Sequence, residues 1–199
     1  MGTFDGPGIR LVVFLQGCPF RCLYCANPDT IDLKGESKET RPEEILEMAV
    51  SQKPFYGKRG GITFSGGEPT MQAEALTPLF RELKAQGIHI CLDSNGGIWN
   101  RHVEELLGLT DLVLLDVKQI NPERHRRLTG RSNEQTLRTA AWLEGMNASP
   151  TDCTVCYPAG NTALRRVAEQ ISQVLRQNFS AKVAVCDDST APGAHEILL

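Results

Sequence analysis

Three cysteines, Cys18, Cys22 and Cys25, stand at C-x3-C-x2-C spacing in the run Gln16-Gly-Cys-Pro-Phe-Arg-Cys-Leu-Tyr-Cys-Ala-Asn27. A loop this short can bring three thiolates round one face of a metal centre and leave the fourth corner without a protein ligand. Structural metal sites close that corner, whereas catalytic ones keep it open. An iron-sulfur cluster takes one thiolate on each iron, so three cysteines leave one iron free. Blander readings compete. Cysteine is often a small buried hydrophobe, and nearby thiols in an intracellular chain also serve as structural zinc ligands or a redox pair. Zinc fingers use two pairs with a gap between them, and no fourth Cys or His follows within thirty residues of Cys25. Cys22-Leu-Tyr-Cys25 alone would pass for a dithiol motif, but that leaves Cys18 unexplained.

Three more polar motifs carry chemistry-bearing residues: Ser65-Gly66-Gly67-Glu68, Asp93-Ser94-Asn95-Gly96 and Asp116-Val117-Lys118. Each begins where a short apolar run ends, and those runs must position them. Arg10 to Leu15 reads as a buried strand feeding the cysteine loop, followed by strands at Gly61 to Phe64, Ile88 to Leu92 and Leu112 to Leu115. Thr40 with Glu43 makes a capping box for a helix running to about Ser51. Residues 73 to 86 form an amphipathic helix closed by Gly87, since Leu76, Leu79, Phe80 and Leu83 recur at i, i+3, i+4, i+7. A short helix is expected at about 100 to 107, a turn at Asn121-Pro122, and a helix near 133 to 144. Beyond these come strands at Asp152 to Tyr157 and Lys182 to Cys186, with a helix at 162 to 177 between them. Regular βα alternation requires parallel strands and favours a barrel or a doubly wound sheet. In such folds the C-terminal strand ends converge on one rim, where sites are built. The four motifs therefore share one mouth.

The motifs carry a resemblance. Asp5-Gly-Pro-Gly-Ile-Arg10, Phe14-Leu-Gln-Gly-Cys-Pro19 and Cys22-Leu-Tyr-Cys-Ala-Asn-Pro-Asp-Thr30, with the three later motifs in order, resemble the radical S-adenosylmethionine enzymes, and within them the activating enzymes of glycyl radical enzymes. The likeness covers about residues 2 to 146 and is strongest to the branch acting on pyruvate formate-lyase. It implies an α/β fold, an incomplete (βα)6 barrel with parallel strands, for which the alternation of about six units has room. It implies a 4Fe-4S cluster on Cys18, Cys22 and Cys25, with S-adenosylmethionine on the open iron. Carried across residue by residue, Tyr24, Ala26, Gly66, Gly67, Glu68, Asn95, Asp116, Val117 and Lys118 fall at cofactor-binding positions. Asp93 and Asp116 match carboxylates that hold a monovalent cation. No catalytic residue is implied beyond the cluster and cofactor. The implied partners are a glycyl radical enzyme, as protein substrate of a monomeric activase, and a small electron donor such as a flavodoxin or ferredoxin.

The likeness also has departures. Relatives usually carry His where Ala26 stands. The opening before the first strand is short, as though clipped, with Met1 an internal methionine of a longer frame. Thr151 to Pro158 and Val183 to Ser189 stand where relatives have an arginine-bearing strand and a Pro-Tyr-His, but carry other residues, which implies divergence or a shifted frame near Asn147. Two rivals stay open: a radical enzyme acting on a small molecule or on another radical enzyme such as an anaerobic ribonucleotide reductase, and a non-catalytic metal- or cluster-binding protein.

Composition bounds the rest. With 199 residues, 41% of them hydrophobic, the chain can bury one sizeable core, so a single domain over 1-199 is expected. A net charge of -3 argues against nucleic acid as a main partner. The apolar run Leu11 to Leu15 is far short of the ~20 residues that span a bilayer. Seven cysteines, an odd number, suit a reducing cytoplasm better than a disulfide framework. Arg124-His125-Arg126-Arg127 reads as a solvated face, with contact to an acidic partner or substrate as the alternative. His102 and His125 read as surface residues, Cys91 as core, and Cys153 with Cys156 as an isolated pair.

Overall fold

The computed structural model describes residues 5–34 and 37–146, the backbone of three later strands, and helical positions 169 and 173. Four strands, β1 (Arg10–Leu15), β2 (Gly61–Gly66), β3 (Ile90–Ser94) and β4 (Leu112–Leu115), form one sheet in sequence order, every pair parallel. A second parallel sheet has the order β6 (Val183–Asp187), β5 (Cys153–Tyr157), β7 (Glu196–Leu198), and β7 comes within 8 Å (Cα–Cα) of β4. The α/β class and parallel strands agree with expectation. The spatial order of the second sheet does not follow the chain, and β7 was not foreseen.

The helices lie where apolar periodicity placed them, with instructive differences. In α1 (Pro42–Ser51) the N-cap is Arg41 and Pro42 opens the first turn; no side chain caps the end. The expected capping box is therefore absent: the Thr40 hydroxyl lies against the Lys38 carbonyl, and Glu44 pairs with Arg41 at 2.9 Å. Proline at the first helical position needs no N–H and fixes φ unaided. A single turn, α2 (Lys53–Tyr56), follows. Next, α3 (Ala73–Ala85) ends as expected: Gly87 has φ +66° and the Ile88 N–H reaches the Leu83 carbonyl. Asn100 caps α4 (Arg101–Leu109), its side chain accepting from His102 and Val103 N–H. The expected turn at Asn121-Pro122 is instead the start of α5 (Pro122–Thr129), with Asn121 capping through Arg124 N–H. A strongly polar helix shows little apolar periodicity, which is why α5 was not legible. Last, α6 (Glu134–Met146) matches expectation. The helix expected at 162 to 177 lies outside the described residues apart from the two helical positions.

The core forms between the sheet and α1, α3 and α4, with Ile62, Phe64, Phe80, Leu83, Ile90, Leu92 and Leu106 fully buried. Phe64 and Phe80 stack at 4.7 Å between ring centres. Among the described residues β1 pairs only with β2, so it is less buried than its sequence suggested; Phe14 is 53% exposed.

Opposite the rim of polar motifs, Arg10 is fully buried at the entry ends of the strands. Its guanidinium donates to Thr63 Oγ1 (2.6 Å) and to the carbonyls of Pro7, Arg59, Ile62 and His89. Burial pulls its pKa down, opposed by Cys91, Tyr56 and Asp111. The planar fork serves acceptors on several segments at once, which a lysine ammonium cannot do. Arg10→Lys should therefore destabilise the fold by about 2–4 kcal/mol in denaturant titration; unchanged stability would show that the fork contributes nothing.

Candidate functional site

Because β1 to β4 are parallel, their C-terminal ends share a rim, and each of the four motifs begins there. The cysteine loop leaves β1 and is held by backbone bonds from three directions. Gly17 and Cys18 N–H donate to the carbonyls of Thr30 and Ile31 at 2.8 and 2.9 Å. Arg21 and Leu23 N–H donate to Thr129 and Leu128, at the C-terminal end of α5, at 2.8 and 2.9 Å. Glu68 N–H donates to Gly17 at 2.6 Å. Phe20 is the loop's buried anchor, edge-on to His125 at 5.4 Å. His125 is thus fully buried, not a surface residue, with Nδ1 at 2.8 Å from the Arg131 carbonyl. His102 is about a quarter exposed and lies 3.9 Å from Glu74. Cys91 is core as expected, its thiol pushed up to about 12 by burial.

Cys18, Cys22 and Cys25 are all free thiols, partly exposed. Burial pushes the Cys18 thiol pKa up, against a hydrogen bond from the Phe20 backbone; it pushes Cys22 up against the charge of Lys118. Asn95, from the loop after β3, approaches Cys18 with Nδ2 at 3.6 Å from Sγ. Its amide is oriented by Gly97 N–H, which donates to Oδ1 at 2.8 Å, so the NH2 end must face the sulfur.

The glycines of the second motif make way for the end of β1 and for the cysteine loop that follows it. Gly66 has φ +105°, and a Cβ on Gly67 would stand 2.3 Å from the Gly17 carbonyl oxygen. Glu68, expected among the cofactor contacts, has a fully buried side chain. Its carboxylate accepts from Thr70 N–H and Oγ1, Ser94 Oγ (2.8 Å) and Asn95 N–H (2.7 Å). Burial pushes its pKa up and these four donors pull it down. Glu68 braces two motif loops from beneath.

Asp93 accepts from Ser65 Oγ at 2.6 Å; burial chiefly raises its pKa, with Asp116 and Asp5 adding and Ser65 and Lys118 opposing. Asp116 and Lys118 form an ion pair. Burial would lower the Lys118 pKa, but the charge and hydrogen bond of Asp116 outweigh it and hold it above the usual value. Lys118 also lies 5.9 Å from the Tyr24 ring centre, and the Tyr24 hydroxyl donates to its carbonyl at 3.3 Å. Val117 is half-buried and Ala26 exposed beside Cys25. Ser65, Ser94 and Thr70, which complete these networks, carried no sequence signal beyond standing inside or beside a motif.

The match to the family model described as "Radical SAM superfamily" covers residues 12–163. The chain belongs to the radical SAM superfamily. It is 45% identical over 153 residues to a pyruvate formate-lyase-activating enzyme of Staphylococcus epidermidis and 46% identical to one of Staphylococcus aureus. Each match covers 73% of this chain and 61% of the relative, so the chain spans about three fifths of the curated relatives it matches. Among solved structures it resembles Streptococcus suis SuiB bound to precursor peptide SuiA, with TM-score 0.65, 13% identity, and 94% of this chain on 49% of that one. SuiB bound to S-adenosylmethionine gives TM-score 0.64 and 13% identity, with 94% of this chain on 51% of that one. These likenesses concern the fold alone.

Three free, partly exposed thiols on one loop are a donor set that an iron-sulfur cluster would fit, one thiolate to each of three irons. Glu68→Ala should remove the brace and orphan four donors, costing about 3–5 kcal/mol. Thermal unfolding measures this, and a loss under 1 kcal/mol would mean that the carboxylate is not holding the rim.

Proposed function

We propose that this chain is the core of a glycyl-radical-enzyme activase that abstracts a hydrogen atom from a backbone glycine Cα, with pyruvate formate-lyase as the protein substrate. The observation that carries this reading is the meeting on one rim of three free thiols, an amide aimed at Cys18, and the Tyr24–Lys118–Asp116 group. The identity to enzymes named for that activity supports it.

In this reading Cys18, Cys22 and Cys25 hold a 4Fe-4S cluster, and S-adenosylmethionine binds beside it. When bound, the cluster would supply the electron for reductive cleavage of the sulfonium, and the cofactor would supply the group that takes the hydrogen atom. The chain's own residues position and shield. Asp116 and Lys118 offer one fixed acceptor and one fixed donor for the polar groups of the cofactor. Tyr24, Ala26, Val117 and the backbone of Gly66 and Gly67 line its path, while Glu68 and Asn95 hold the neighbouring loops. Asp93 and Asp116, whose mutual repulsion helps raise the Asp93 pKa, hold a monovalent cation.

No helix of the described residues is long and apolar enough to cross a membrane. Free thiols fit a reducing cytoplasm, where the activase works as a monomer under anaerobic metabolism and receives electrons from a flavodoxin or ferredoxin. Anaerobic reconstitution should load about four irons per chain, and Cys18→Ala should abolish loading. Dithionite with S-adenosylmethionine should then release 5'-deoxyadenosine, and mixing with pyruvate formate-lyase should give a glycyl radical signal in electron paramagnetic resonance. Tight binding of a single zinc, or a loaded protein that yields no 5'-deoxyadenosine, would overturn the reading.

A further inference from the structure

The basic run of α5 is not used by any step described above, yet α5 is the outer support of the cysteine loop. Its last carbonyls receive the N–H groups on either side of Cys22, and Arg131 Nε, just beyond it, donates to Pro19 in the same loop at 3.1 Å. The inward side of the helix is occupied by His125 and Thr129, both fully buried. Arg124, Arg126 and Arg127 are therefore turned outward and exposed. Elsewhere on the surface Arg21, Arg41, Arg81 and Arg138 each hold a carboxylate, while Arg59 and Arg101 hold none among the described residues but stand apart from one another in the sequence. Arg124, Arg126 and Arg127 hold none among the described residues, although the whole chain is acidic, with a net charge of -3. Beside them Leu23, between Cys22 and Cys25, is 79% exposed, the most exposed of the large hydrophobic side chains among the described residues, and Tyr24 next to it is 52% exposed.

Unpaired cations round an apolar anchor have the anatomy of a docking face for an acidic protein: the charges steer and orient the encounter, and the apolar centre holds it. The position selects the partner. The end of α5 is bonded directly to the loop that carries the three cysteines, through Arg21 and Leu23 N–H on Thr129 and Leu128, so a protein seated on this face lies one loop away from the cluster ligands. We propose that α5 and Leu23 form the docking surface for an acidic one-electron carrier protein, which is oxidised by one electron as the cluster is reduced by one. The proposal rests on the activase reading, and its test is chosen so that the two fail separately.

The probe is reduced flavodoxin, an acidic flavin carrier, mixed under anaerobic conditions with the reconstituted protein while the cluster absorbance is followed. Photoreduced 5-deazariboflavin, small and uncharged, serves as a comparison that needs no docking face. With flavodoxin the reduction rate should fall about tenfold or more between low and high ionic strength, and the Arg124→Glu, Arg127→Glu double variant should lose a similar factor at low salt. Iron content, thermal midpoint and the deazariboflavin rate of that variant should match the parent protein. Arg124→Glu alone, which leaves the last turn of α5 untouched, should show a smaller loss of the same kind. Flavodoxin reduction insensitive to both salt and charge reversal overturns the docking surface and leaves the activase reading standing. So does a variant that reduces normally but no longer engages pyruvate formate-lyase, because the face would then belong to the protein substrate. A protein that loads no cluster, or whose cluster neither reductant reduces, overturns the activase reading and this proposal with it.

Discussion

One buried carboxylate joins the parts of this site. Glu68 leaves the turn after β2, gives its own N–H to Gly17 at the foot of the cysteine loop, and receives Ser94 Oγ from the end of β3 and Asn95 N–H from the loop after it. Three loops that begin on three different strands are thus pinned to one residue. A buried carboxylate is tolerated only where donors replace the water it has lost, and here four do so. The requirement runs both ways: the donors are held as tightly as the acceptor, so the loops cannot drift independently. Asn95 is the clearest beneficiary. With its N–H on Glu68, its Oδ1 on Gly97 and its carbonyl accepting from Thr136, its amide has only one direction left, toward the Cys18 sulfur.

The parallel sheet supplies the other constraint. Leu15 is opposite Gly66 and Ser94 opposite Leu115, so neighbouring strands finish level with one another. Loops that start level can reach each other with short side chains, and serine and asparagine suffice. The polar rim and the buried Arg10 occupy opposite ends of the same strands. Each end is closed by one buried charged group serving many partners, and the apolar middle, from Ile62 and Phe64 to Leu92, carries none.

Much of this was legible before the structure. The four strands could be read because each is a short apolar run that stops at a motif, and α3 because its apolar stripe repeats at helical spacing and ends in glycine. What the sequence hid was hidden for physical reasons. The polar helix α5 has almost no apolar stripe: only His125 and Thr129 turn fully inward, and both are residues that pattern reading assigns to the surface. Thr40 and Glu43 have the spacing of a capping box, but Pro42 between them sets the helix start one residue later than that box needs. By resemblance the glycines fall at cofactor-binding positions, yet on Gly67 the space a side chain would fill belongs to the Gly17 carbonyl. The group that approaches closely there is the protein's own backbone. Glu68 shows the same limit: a motif fixes that a carboxylate matters, while only coordinates tell whether it faces a ligand or the loop behind it.

The cysteine loop itself has almost no core of its own, since Phe20 is its one fully anchored side chain. A loop so poor in apolar contacts would ordinarily sample many conformations, and a metal binding to it would have to bear the ordering entropy. Here the ordering is done by neighbours. The turn at Thr30 and Ile31, the second motif at Glu68 and the end of α5 at Leu128 and Thr129 each hold a different stretch of its backbone, with donors and acceptors at 2.6 to 2.9 Å. None of those bonds involves a thiol, so all three sulfurs remain available while the chain that carries them is already fixed. Loop order and ligand chemistry are thereby assigned to different atoms. That separation explains how the loop can present partly exposed cysteines without committing them to one another.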